Sequence, residues 1–252
     1  MGGADSAGVA WAGRSFEPNA SATDDGSAPP ELIETLRRFR AGEVGEAEVV
    51  EVFRGARLLI PLVAHLGDEA LTESGLRVDK SQELSIVTVE GPDGRSVLPV
   101  FSSVAAMARW NPVARPVPAG GVRVALAAAS EGTDLVILDP LSETEFAIRR
   151  PALWAIARQE EWVPSYRDER VLEAFLAAAE PEPAIVAVQL APADPQARLA
   201  GAELLVHLSI VDGLDSTELD AIVARSQSAW AASDVIAERV DSLAVRIASA
   251  ER

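Results

Sequence analysis

The chain has 252 residues, 48% of them apolar, enough for one large or two small folded units with a real core, which excludes overall disorder. Its 39 acidic and 22 basic residues leave a net charge of −17 spread along the whole length, a field that repels phosphate backbones and anionic bilayers and so argues against nucleic acid and membrane surfaces as partners. Cysteine is absent, which excludes disulfides, thiolate catalysis and thiolate metal sites and fits a reducing compartment; no apolar run nears the roughly 20 residues of a bilayer span, no signal peptide is evident, and the cytoplasm is the expected location.

Residues 1–30 are rich in Gly, Ala, Ser and Asp and end in Pro29-Pro30, the composition of a flexible tail. Within it, Trp11, Arg14 and Phe16 form a candidate docking arm, because two aromatics in a polar tail call for a surface to cover them, on the same chain or another. Two short patterns, Met1 to Ser6 for myristoylation and Asn19-Ala20-Ser21 for glycosylation, are chance matches in a chain with no route to either modification.

Pro30 and the acids that follow predict a helix from Glu31 to Phe39, closed by Arg37, Arg38 and Arg40 and then Gly42; a second is expected over Glu46–Arg54. Arg57–Ala64 reads as a strand whose Pro61 favours an edge or a bulge. Residues 67–82 read as a polar loop. Leu84–Glu90 and Arg95–Phe101 flank Gly91-Pro92-Asp93-Gly94, a strong hairpin signal, since Asp-Gly tolerates the positive φ of a tight turn.

The second arm of that hairpin runs into Ser102 and Ser103 and a short helix. Val97, Pro99 and Phe101 point to one side and Leu98 and Val100 to the other, which predicts a central strand covered on both faces. Ser102 or Ser103 is placed to cap the helix, Val104, Met107 and Ala108 to form its buried face, and Asn111-Pro112 to stop it. Trp110 in the last turn is either a core side chain or an aromatic anchor for a partner.

The run LPVFSSVAAMARWNP, followed about thirty residues later by Ile137-Leu138-Asp139-Pro140, resembles the N-terminal domain of the bacterial SseB, or serine-sensitivity-enhancing, family over about residues 57–162. Ser103 stands where the family pattern commonly has Thr, a mild change at a capping position. Val171 to Ala248 is similar, more weakly, to the family's C-terminal domain. The resemblance implies no enzymatic activity and supplies no cofactor.

Pro116–Gly121 reads as a rigid loop, Val122–Glu131 as a helix, Leu135–Leu138 and Glu145–Arg149 as antiparallel strands, and Pro151 as the start of a helix that completes the first unit. A helix over Asp168–Ala179, strands over Ala184–Leu190 and Glu203–Ile210, a helix over Thr217–Trp230 capped by Asp215 or Ser216, and a last strand at Leu243, Val245 and Ile247 make the second. The expected fold class is α+β: a tail over 1–30, an SseB-like N-terminal domain over 31–164 and a C-terminal α/β sandwich over 165–252, each with a mainly antiparallel sheet covered by helices.

No phosphate-cradling glycine loop and no nucleophile elbow is present. His65 and His207 both fall in expected strands, and the single lysine, Lys80, lies beside Asp79 where a depressed pKa is hard to reach. Asp212, Asp215, Glu218 and Asp220 are the densest acidic set, but a helix cap and first-turn acid account for two of them, and no metal or cofactor is expected. Convergence of two strand ends makes Ser102, Ser103, Trp110, Asn111, Asp139 and Pro140 the candidate interaction surface. The expected function is that of a non-enzymatic regulatory or adaptor protein that binds an unknown protein partner, a second copy of itself included; a sensor of an amino acid or related metabolite is the alternative.

Overall fold

Helix signals in the sequence are met first. In the computed structural model, which describes residues 24–65 and 83–250, α1 (Pro30–Arg40) opens on Pro30 with Glu31 in its first turn and ends in Arg37, Arg38 and Arg40, so charges oppose the helix dipole at both ends. α2 (Glu46–Gly55) follows, its start held by the Glu48 carboxylate, which accepts the Gly45 N–H at 3.1 Å. The docking-arm residues Trp11, Arg14 and Phe16 and the loop at 67–82 lie outside the described residues. Of the expected tail, Asp24 to Ser27 is tied down: Asp24 pairs with Arg57 at 2.9 Å, Arg57 also binds the Ser27 carbonyl, and Val104 N–H donates to the Gly26 carbonyl.

The first unit holds two small sheets. β1 (Arg57–His65) lies between β2 (Glu83–Ile86) and β5 (Arg115–Gly120), both antiparallel to it. The second has the order β3-β4-β6-β7, from β3 (Val89–Glu90), β4 (Ser96–Val100), β6 (Val136–Leu138) and β7 (Phe146–Ile148), with β4 and β6 parallel. A pair of hydrogen bonds between Leu59 and Phe101 joins the two sheets.

Three expectations are corrected here. Residues 115–120 form an edge strand rather than a loop: Leu59 turns its N–H and C=O toward Phe101, so its partner Pro118, and Pro116 opposite Pro61, face their nitrogens to the open edge, where a missing N–H costs no ladder bond. By the same alternation Pro61 is accommodated in a central strand, its nitrogen falling between Phe101 and β2. Leu84 to Glu90 is divided between the two sheets instead of forming one arm of the hairpin. The turn itself is as expected, with Gly94 at φ +78° and the Gly91 N–H donating to the Arg95 carbonyl at 2.8 Å.

β4 is covered on both faces. Leu98 and Val100 enter the main core with Leu32, Leu36 and Phe39 of α1, Val49 and Phe53 of α2, α4 (Gly121–Ser130) and α5 (Arg150–Arg158). Phe39 meets Phe146 edge to face at 5.2 Å. α2 and α4 touch at the backbone: a Cβ on Gly121 would overlap the Phe53 carbonyl oxygen, so only glycine fits there. On the opposite side Val97 packs with Leu135, Ile137 and Ala147, and Phe101 with Leu59 and the buried face of α3 (Val104–Trp110). That face is Ala106 and Met107, with Trp110 half-buried; Val104 and Ala108, expected inside, are exposed.

A short 3-10 turn (Ser165–Arg167) and α6 (Glu169–Ala179), capped by Asp168, open the second unit. Its sheet has the order β10-β9-β8: β9 (Leu204–Ile210) is antiparallel to β8 (Ile185–Pro192) and parallel to β10 (Leu243–Ser249), because α7 (Ser216–Ala231) and α8 (Asp234–Arg239) carry the chain across between β9 and β10. α8 has no counterpart in the sequence reading. Leu204, Val206, Leu208 and Ile210, alternating along β9, pack with Val171, Phe175, Trp230 and Ile236 of the helices. Among the described residues five of the seven strand pairings are antiparallel, and the protein is α+β.

The β8–β9 connection reaches back into the first unit. The Ala147 N–H of edge strand β7 donates to the Ala197 carbonyl at 2.7 Å, Ala197 joins the main core, and Leu199 packs against Val97 and Ile137. Ala197 and Leu199 hold positive φ angles of 47° and 55°, and the Asp194 carboxylate fixes the loop by accepting the Arg198 and Leu199 N–H groups.

Candidate functional site

β4 and β6 run parallel, so their C-terminal ends emerge side by side and bring Ser102 next to Asp139. The Asp139 N–H donates to the Val100 carbonyl at 2.8 Å. Its carboxylate then accepts three bonds: from the Ser102 N–H (2.8 Å) and hydroxyl (2.6 Å), and from the Thr144 hydroxyl (2.8 Å). Ser142 closes the loop by donating to the Asp139 carbonyl at 2.7 Å. Both residues are buried, Ser102 at 2% and Asp139 at 1% exposure, and Asp139 sits at φ +45°, a conformation Asp tolerates better than most.

The two serines divide the work left open between them. Ser103 caps α3, its hydroxyl accepting the Ala106 N–H at 3.1 Å, while Ser102 binds Asp139. Trp110 stacks at a tilt on Phe101, 5.2 Å between centroids, and Asn111 ends the helix and receives the Val113 N–H at 3.1 Å. Ser102, Ser103, Trp110, Asn111, Asp139 and Pro140 are thus brought to one corner, but the polar atoms of Ser102 and Asp139 face one another and not solvent. They form a frame.

Around that frame lies the exposed surface. Leu141, also at positive φ (63°), is 92% exposed, Val113 is 74% exposed and Val104 42%. Arg109, Leu141, Ser142, Glu143, Thr144, Glu145 and Arg198 line an open cleft of about 800 Å³. Arg198 leans toward the Ser142 and Glu143 carbonyls at 3.4 Å, and among the described residues neither it nor Arg109 is paired with a carboxylate. Leu141 was legible as an apolar residue within a polar loop; Arg198 comes from the second unit and left no local signal.

A second constellation joins the units. Arg149 is buried and binds Asp194 at 2.8 Å, Asp241 at 3.3 Å, the Gly201 carbonyl at 2.9 Å and Ser242 at 3.3 Å. Arg95 grips both Asp241 oxygens at 2.9 Å. Burial alone would raise the Asp241 carboxyl, but the two guanidinium groups hold it below the usual carboxylate range. Glu203 accepts the Ser165 hydroxyl (2.7 Å) and the Asp241 N–H (2.6 Å), and burial nevertheless pushes its pKa up. Glu46, half-buried at the start of α2, is pushed up to about 7 by burial first and by Glu203 and Asp194 second, against Arg149 and Arg167.

Elsewhere the sites considered in the sequence resolve into structure. Asp215 accepts the Glu218 N–H and Glu218 accepts the Asp215 N–H, both at 2.9 Å, a reciprocal cap on α7. Among the described residues no three His, Cys, Asp or Glu side chains converge as metal ligands. His207 faces Gln189 and Arg246 in register across the second sheet. No helix among the described residues is long and apolar enough to cross a membrane.

Fold and site together define a two-unit α+β protein whose parallel strand ends build a braced surface corner. A family model described as the SseB protein N-terminal domain matches residues 32–155, from within α1 to within α5, so this part of the chain is similar to that domain. The whole Ser102–Asp139 frame lies inside the match, whereas Asp194, Glu203 and Asp241 lie beyond it. No curated protein and no solved structure matches the chain.

Proposed function

We propose that this is a non-enzymatic regulatory or adaptor protein of the cytoplasm that works by binding another protein through the corner formed by α3 and the Asp139–Glu145 loop. The observation that carries this reading is the pairing of three exposed apolar side chains, Leu141 in the loop and Val104 and Val113 at either end of α3, with a base in which every Asp139 oxygen is already bonded. Exposed apolar side chains held on a fixed frame lose little freedom on binding, which is the condition for an interaction hot spot. Arg109 and Arg198 at the rim favour a partner with carboxylates at its edge.

The test is capture from source cells after mild crosslinking, with wild type beside Leu141→Asp and, as a distant control on exposed α6, Leu176→Asp. A stoichiometric partner retained by the control and lost from Leu141→Asp is expected; bait alone in all three captures overturns the reading.

A second reading, a sensor of an amino acid or similar metabolite, is favoured by a groove of about 330 Å³ in the second unit, where Trp230, Ile236 and Val240 meet Asp241 and Ser242. Ligand-dependent stabilisation of the isolated protein by such metabolites would select this reading over the first.

A further inference from the structure

We propose that β10 is an interface through which two copies of this chain pair, antiparallel about a two-fold axis at Val245, so that their three-stranded sheets join into one. β10 takes no part in the α3 corner, so this pairing is independent of what that corner binds.

Every other sheet edge among the described residues is guarded or short. β5 turns the nitrogens of Pro116 and Pro118 outward, β7 is met by the Ala197 carbonyl, β8 carries a register shift between Ile185 and Ala187 and ends in Pro192, and β2 and β3 have four and two residues. β10 has seven residues, with no proline, no glycine and no shift in its register with β9. The Ser242 carbonyl accepts the Leu204 N–H at 3.0 Å and the Ala250 N–H donates to the Ile210 carbonyl at 2.7 Å, so the even-numbered residues spend their backbone groups on β9. By alternation Leu243, Val245, Ile247 and Ser249 turn theirs to the outer edge, where no described strand pairs with them.

The strand is complementary to itself. Leu243, Val245 and Ile247 pack against the core of the second unit on the helix side and are still partly exposed. With Val245 on the axis, Leu243 of one copy stands opposite Ile247 of the other, each outward-facing pair exchanges two hydrogen bonds, and the apolar side chains close over the open flank of both cores. The groove of about 330 Å³ lined by Trp230, Ile236, Val240 and Leu243 lies on that same side, next to Ile247 of the second copy. Charge selects the register: Arg246 on the axis would oppose two guanidinium groups, Ile247 on the axis would leave Leu243 beyond the end of the other strand, and Val245 sets Arg246 against Ala244. In a chain of net charge −17 two copies repel over most of their surface, but no residue of β8, β9 or β10 is acidic, so here a second copy approaches without carboxylate facing carboxylate.

Sedimentation velocity of the full chain over a range of concentrations tests the pairing, and a concentration-dependent dimer is expected. Ala244→Arg, on the sheet face away from the helices, puts a guanidinium opposite Arg246 and should raise the dissociation constant about tenfold or more, while Gln189→Arg, on the same face of the far strand β8 and with the same added charge, should leave it near the wild-type value. Because the chain has no cysteine, Val245→Cys on the axis meets only its own copy, and under mild oxidation it should form an intermolecular disulfide at least tenfold faster than Ser249→Cys, followed by mass spectrometry. Circular dichroism checks that each variant is folded, and the arginine pair carries the test alone if Val245→Cys is not. A wild type that stays monomeric up to about 100 µM overturns the proposal. So does a dimer on which Ala244→Arg and Gln189→Arg act equally, or one in which the two cysteines react at equal rates, since either places the contact away from β10 or off the Val245 axis.

Discussion

Two buried polar centres hold this protein, and they differ in kind. At the α3 corner one carboxylate, Asp139, is satisfied by neutral donors from residues no more than 37 positions away, and the result is a local brace under an exposed surface. At the unit junction, Arg149 and Arg95 are set against Asp194 and Asp241, with Glu203 and Glu46 alongside, across separations of up to 146 positions. The first centre shapes a loop. The second ties Arg95 and Arg149 to Asp194 and Asp241, and it does so with charges whose desolvation must be offset by mutual pairing.

Breaking the junction is expected to have the largest effect. Arg149→Met leaves Asp194 without a cation and Asp241 with only Arg95, and should lower the unfolding free energy by about 3–5 kcal/mol, the usual cost of orphaning a buried charge. Urea unfolding measures it, and a loss below about 1 kcal/mol would mean that the junction is not a true structural bond.

Asp139→Ala tests the brace. It removes three accepted hydrogen bonds and should cost about 2–3 kcal/mol, with Asp139→Asn, which keeps one strong acceptor and tolerates positive φ, losing less. Hydrogen exchange sharpens the contrast: the alanine variant should open residues 101–105 and 139–145 while the second sheet stays protected.

The smallest effect concerns pH. Glu46 has a folded-state pKa of about 7 against an ordinary value of 4.5, so the protonated form is favoured by folding. The stability that this contributes is fully present below about pH 4.5 and is lost as pH rises toward 7, above which the ionised carboxylate sits beside Glu203 and Asp194. Glu46→Gln should therefore stabilise the protein by about 1–2 kcal/mol at pH 8 and by almost nothing at pH 4.5, read as thermal midpoints at the two pH values. Equal effects at both would place Glu46 outside the junction's field.

Much of the fold was legible because its signals are local. The hairpin at Gly91–Gly94, the two-sided burial of β4, the Ser103 cap and the Asp215 cap each depend on residues within a few positions of one another. Proline misled at two places, since Pro61, Pro116 and Pro118 are harmless only where the neighbouring strand asks for no N–H, and that is a property of the partner. The buried face of α3 was misplaced for a similar reason: with seven residues its apolar side chains surround much of the helix, and contact with Phe101 and Leu59 selects Ala106 and Met107.

Sequence alone gives the class of the protein: an acidic, cysteine-free α+β chain whose N-terminal part is similar to the SseB N-terminal domain, with the strand ends at Ser102 and Asp139 expected to converge. Tertiary structure alone decided that Ser102 and Asp139 look inward and leave Leu141, Val113 and Val104 as the exposed surface, and that Arg149 binds Asp194 and Asp241. Periodicity and capping act over one or two turns of chain and can be read in order. The direction of a buried polar side chain, by contrast, is set by which donor or acceptor arrives from a distant segment, because leaving it unpaired away from water is what the fold cannot sustain.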